Sequence, residues 1–136
     1  MVRLKVVIAC SVLVGCLLFT LSKVQARDSG QWEAGDPEIR AWFETLMQPD
    51  NPHVPCCGAA DAYWADTVEV EGDRVFAIIT DTRPDEPLRR PHIAPGTRFE
   101  IPKNKYKFDK SNPVGHNIIF VSPSGTVFCF VQTSGA

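Results

Sequence analysis

The stretch His116-Asn117-Ile118-Ile119-Phe120-Val121-Ser122-Pro123-Ser124-Gly125-Thr126-Val127-Phe128-Cys129-Phe130-Val131 decides the fold. Two apolar runs flank a Ser-Pro-Ser-Gly turn, the pattern of a β-hairpin. With a regular four-residue loop, Val121 faces Thr126 and Ile118 lies opposite Cys129. Ile118, Phe120, Val127 and Val131 then share one face, and Ile119, Val121, Phe128 and Phe130 the other. A strand pair apolar on both faces belongs in the middle of a domain, covered from each side.

Upstream, Asp36-Pro37-Glu38 supplies an N-cap acceptor, a proline for the first turn and a carboxylate for the positive end of a helix dipole. Ile39, Trp42, Phe43, Leu46 and Met47 follow with helical spacing, so the sequence predicts an amphipathic helix ended by Pro49. Three prolines between Gln48 and Pro55 read as an extended or turning loop. Residues 59–64 read as a short helix or turn. Val68 and Val70 alternate with Glu69 and Glu71, Gly72-Asp73 is a two-residue hairpin turn, and Arg74 to Thr80 returns as a strand. Asp81 to Gly96, with four prolines, is a long irregular excursion, and Thr97 to Ile101 is a further strand. No repeats are present. The expected architecture is α+β: one N-terminal amphipathic helix on a small antiparallel sheet of about five strands, open or partly curled into a barrel.

The first 26 residues have a separate character. Arg3 and Lys5 open a positive start, Val6 to Leu21 is apolar, and a polar stretch ends Val24-Gln25-Ala26. That order is a signal peptide with cleavage after Ala26. The apolar run is about 16 residues, short of the ~20 that span a bilayer. Leu13-Val14-Gly15-Cys16 also resembles a lipobox, so a lipid anchor on Cys16 is the alternative. Residues 27–35 form a flexible leader, and residues 36–136 a single domain of about 100 residues, sized for one core. The location expected is periplasmic or secreted, with no transmembrane anchor after processing.

The chain carries 14 Lys and Arg against 16 Asp and Glu. Loss of Arg3, Lys5 and Lys23 leaves 11 against 16, a net charge of −5. Such a domain lacks the electrostatic footprint of a nucleic-acid binder, and Lys103 to Lys107 read as a solvated face. Cys10 and Cys16 leave with the signal, so Cys56, Cys57 and Cys129 remain: one disulfide and one thiol. A bridge from the post-helix loop to Cys129 closes a loop of about 72 residues and is worth about 4 kcal/mol on the chain-entropy model. Gly58 favours Cys57 as the partner of Cys129, with Cys56 as the alternative.

Trp42-Phe43-x-x-Leu46-x-Gln48-Pro49, then Cys56-Cys57 with Asp61, Ile101-Pro102, Asn112-Pro113 and Cys129-Phe130 together resemble a group of short exported bacterial proteins. The resemblance spans most of the mature chain. It departs at Ala62, where members often carry another cysteine, and at Gln132-Thr133, where a Pro-Pro is usual. The group implies no activity.

Sharper chemistry centres on the cysteines. His53, Cys56 and Asp61, completed by His92 or His116, offer sulfur and imidazole suited to copper or zinc. Cys57-Gly58 at a helix start, with His116 opening a strand about 59 residues later, is similar in order to cell-wall peptidases of the NlpC/P60 type. It lacks their serine after the cysteine and their Gly-Asp-hydrophobic strand. A thiol-redox role would want a Cys-x-x-Cys pair, which is missing. The reading favoured overall is a non-enzymatic module without a cofactor, binding an envelope protein or a small ligand. Its contact surface is expected at Tyr63-Trp64 and at Arg89-Arg90 in the long loop.

Overall fold

The computed structural model describes residues 36–57, 61–86 and 89–133. The signal reading of residues 1–26, the lipobox at Cys16 and the leader 27–35 lie outside the described residues.

Asp36 caps α1 (Pro37–Thr45) by accepting the Glu38 backbone N–H at 2.8 Å, as its sequence signature demands. The helix stops short of Pro49. Leu46 closes the last turn, and Met47–Gln48 (β1) pairs with Asn51–Pro55 (β2) in a two-stranded ribbon. The Cys56 backbone N–H donates to the Leu46 carbonyl at 2.8 Å, so the chain is turned back across the helix end. That return brings Cys56 to Cys129, a demand the local helical spacing does not contain.

The central sheet has the order β3-β8-β9-β7, formed by β3 (Asp61–Trp64), β8 (Ile118–Val121), β9 (Val127–Gln132) and β7 (Tyr106–Phe108). Residues 61–64 are thus a strand and not a helix or turn, because Asp61 to Trp64 pair with Val121 to Ile118. The sheet is mixed: β7, which follows a short 3-10 turn at Lys103–Lys105, runs parallel to β9. A second sheet holds β4 (Thr67–Glu71), β5 (Arg74–Ile78) and β6 (Arg98–Glu100). Its β4–β5 hairpin turns on Gly72-Asp73, with Gly72 at φ +64°, the left-handed conformation that such a turn needs. Among the described residues, nine short strands in three open sheets therefore stand where about five were expected, within the same α+β class. Residues 81–86 and 89–96 carry no regular element, as their prolines predicted.

The hairpin is central and apolar on both faces, but its register differs from the regular one. Ile118 lies opposite Val131 and Phe120 opposite Cys129, whereas Val121 meets Val127. Phe128 is the extra residue of a β-bulge. The bulge moves Val127 to the face of Ile119, Val121 and Phe130, and Phe128 to that of Ile118 and Phe120. One face packs under Trp42, Phe43 and Leu46 of α1 and around the disulfide; Phe43 meets Phe120 edge-on at 5.8 Å. The other packs on Tyr63, Ala65, Ala77, Ile79 and Ile101. Helix, mixed sheet and second sheet form three layers with a core on each side of the middle one.

The Lys103 to Lys107 segment is more than a solvated face. Lys105 Nζ reaches Asp50 at 2.7 Å and Gln48 at 3.0 Å, and Lys107 Nζ donates to the Met47 carbonyl. These contacts pin the β1–β2 ribbon against β7. On the second sheet, Arg74 and Arg98 stand over the Phe76 ring at 4.8 and 4.3 Å and pair with Glu100, Glu69 and Glu71. An ionic lattice thereby covers the buried Phe76.

Candidate functional site

The disulfide joins Cys56 to Cys129, so of the two sequence alternatives the bridge uses Cys56 and not Cys57. Cys56 is fully buried in the cluster with Leu46 and Phe120, on the side that faces Cys129. Cys57 packs half-buried at the edge of that cluster. The freedom that Gly58 offers was outweighed by burial: Cys56 enters the core beside Cys129, and Cys57 stays at its edge.

Two sharper readings change with this bridge. The sulfur of Cys56 is taken, which removes the anchor from a His53, Cys56 and Asp61 metal set. Among the described residues no group of three or more His, Cys, Asp or Glu side chains gathers around one point. His53 is exposed on β2. The hydrolase reading wanted Cys57 at a helix start, but the described chain beyond it leads into strand β3. His116 is engaged elsewhere: Nδ1 lies 2.7 Å from Asp66 Oδ2, and the ring stacks on Trp64 with centres 3.9 Å apart.

The expected contact pair Tyr63-Trp64 divides across the sheet. Tyr63 is buried, and its hydroxyl donates to the Pro91 carbonyl at 2.6 Å. Burial, with the Asp61 charge nearby, pushes its phenol up to about 12. It is a core residue that ties the long loop down. Tyr63→Phe is expected to lose about 1 kcal/mol in urea unfolding, by leaving the Pro91 carbonyl without its donor.

Arg89-Arg90 divides in the same way. Arg89 is exposed, with φ at +51°. Arg90 is buried and serves the fold. Its Nη1 meets Asp81 Oδ2 at 2.5 Å and the Ala62 carbonyl at 3.5 Å, its Nε meets Asp85, and its Nη2 donates to the Arg83 carbonyl. Asp81 Oδ2 also accepts the Trp64 backbone N–H, and the Trp64 carbonyl accepts the Thr80 N–H. These partners occupy the outer edge of β3, an edge strand that would otherwise present unpaired backbone groups. Burial alone would push the Asp81 carboxyl up. Hydrogen bonds from Arg83 and Arg90 overcome this and hold it far below the usual carboxylate range.

The sign of the resulting pH dependence follows. A carboxyl depressed in the folded state stabilises fully above its unfolded value near 3.8, and the stabilisation fades as pH falls toward the folded value. The urea midpoint is therefore expected to drop between about pH 5 and pH 2, with Asp81 the main contributor. A flat profile over that window would contradict the assignment.

Against this buried pair stands a groove of about 200 Å³. Ile39 and Phe43 of α1, Ala62 and Trp64 of β3, Pro113, Val114 and Ile118 line it, together with one charged residue, Arg83. The Arg83 guanidinium carbon is 4.2 Å from the Trp64 ring centre, and its Nε and Nη2 grip Asp81 at 3.0 and 2.6 Å. Asp66 holds His116 and accepts the Asn117 backbone N–H at 2.8 Å. Buried Asn117 in turn takes the Ala65 N–H on its carbonyl and the Thr133 N–H on its side chain. The indole is thus held between a guanidinium and an imidazole, each oriented by a carboxylate. Asp66, Asp81, Arg83 and Val114 carry no local motif; of this wall the sequence picked out Trp64 as a contact residue and His116 in other roles.

Fold and site together define a small, disulfide-tied α+β domain with a half-open apolar groove beside a rigid polar wall. No protein-family model, curated protein or solved structure matches the chain.

Proposed function

We propose that this chain is an exported, non-enzymatic binding module of the cell envelope, delivered by its first 26 residues and acting through the groove beneath α1. The observation that carries the reading is the groove itself: an apolar recess of about 200 Å³ whose one charged liner among the described residues is held in place by Asp81 and Trp64. The Cys56–Cys129 bridge accords with an oxidising compartment. No helix among the described residues is long and apolar enough to cross a membrane. The resemblance to short exported bacterial proteins points the same way.

Two measurements test the two halves of this reading. Mass analysis from the native compartment should give a mature chain beginning at Arg27 and two hydrogens lighter than its reduced form. A diacylglyceryl group on Cys16 would establish lipid anchoring instead, and a full-length reduced chain would overturn export. A photoreactive residue at Val114 should crosslink to an envelope component that the same residue at Val70, exposed on β4, does not reach. Equal yields from the two positions would overturn the groove as the binding surface.

A further inference from the structure

Three features limit what the groove can hold. The volume of about 200 Å³ suits one apolar side chain, since a 150 Å³ cavity takes a benzene. The adjacent edge of β3 is closed by Asp81, Arg90 and Thr80, so an incoming chain finds no strand ladder to extend there. Arg83 is the third. A guanidinium has five N–H donors; two go to Asp81, and the other three meet no acceptor among the described residues.

We propose that the groove binds the C-terminal apolar residue of a polypeptide partner, with its side chain between Ile39, Phe43, Val114 and Ile118 and its terminal carboxylate on Arg83. This rests on the groove reading above and names the chemistry of the partner. The guanidinium is already fixed by Asp81 and Trp64, so little side-chain freedom is lost when an acceptor docks. Asp81 takes only the Nε and one Nη2 donor of the guanidinium, and a charged donor bonds a carboxylate more strongly than a neutral carbonyl, so the remaining donors favour an anion. The groove is half-open, whereas pockets for free small molecules enclose most of their ligand. A terminal residue carried on a larger partner gains its remaining contacts from the rim.

Acetyl-Gly-Gly-Phe with a free carboxylate, its C-terminal amide, and phenylacetate are the probes, titrated into the full disulfide-bonded domain while the Val114 and Ile118 methyl resonances are followed. The free-acid peptide is expected to bind about tenfold more tightly than the amide, as a charge-assisted pair requires. Arg83→Gln, which leaves Asp81 its Arg90 partner, should erase that difference while the amide still shifts both methyl groups. Equal binding of acid and amide by the wild type overturns the carboxylate assignment and leaves the groove standing. Phenylacetate binding as tightly as the acid peptide overturns the polypeptide source. No methyl shift with any probe overturns the groove reading itself.

Discussion

Replacing Cys56 and Cys129 together by alanine is expected to lower stability by about 4 kcal/mol, a large share of the 5–15 kcal/mol typical of a small domain. The bridge spans 73 positions, so its loss frees most of the domain in the unfolded chain. Both sulfurs are fully buried between α1 and the central sheet, and alanine leaves that space unfilled. The ribbon that turns back across Leu46 is then left to hydrogen bonds, the β1–β2 pairing and the lysine contacts among them, with no covalent tie to the sheet. Urea unfolding of the oxidised wild type and the variant checks the magnitude. Cys57→Ala provides the contrast: the bridge forms as before, and the loss at a part-buried position is about 1 kcal/mol. Should Cys57→Ala destabilise as much as the double replacement, the assignment of the bridge to Cys56 would fail.

The second large effect belongs to Asp81. Asp81→Ala is expected to destabilise by about 3–5 kcal/mol, because breaking a buried ion pair from one side strands the other charge. Arg90, with 4 % of its side chain exposed, would keep only Asp85 and backbone carbonyls. The same change removes the acceptor of the Trp64 N–H and the grip on Arg83, so the β3 edge opens. Light scattering should then rise with protein concentration, as an uncovered edge strand templates association. Asp81→Ala combined with Arg90→Met should recover much of the lost stability, since no charge remains buried. A single Asp81 variant that unfolds like the wild type would show that the pair is not needed. Lys103→Ala, at the fully solvated pair with Asp73, serves as the control and should change little.

Much of the fold was legible from neighbours in sequence. The α1 start follows from Asp36-Pro37-Glu38, the β4–β5 hairpin from Gly72-Asp73, and the central place of the second hairpin from its two apolar faces. Each is a local rule: a cap, a left-handed turn residue, a period of two. The misreadings share one cause. The helix end at Thr45, the strand at residues 61–64 and the parallel β7 are set by pairing with distant chain, which local propensity does not weigh. The bulge at Phe128 is of the same kind, since a regular loop and a bulged one have the same apolar composition.

For the site, the three cysteines left after the signal, one of them in the central hairpin, led the sequence to a bridge from Cys129 to the segment after the helix, and the structure holds that bridge. Only the tertiary structure decided which cysteine makes the bond, which aromatic of Tyr63-Trp64 faces the groove, and which arginine of Arg89-Arg90 is buried. The physical reason is common to all three pairs. In each, two neighbours of similar local character differ in which one meets distant chain in the core, on a strand at Tyr63-Trp64 and in irregular or turning backbone at the other two pairs. The partners that settle it here, Cys129, Pro91 and Asp81, lie between 9 and 73 positions away.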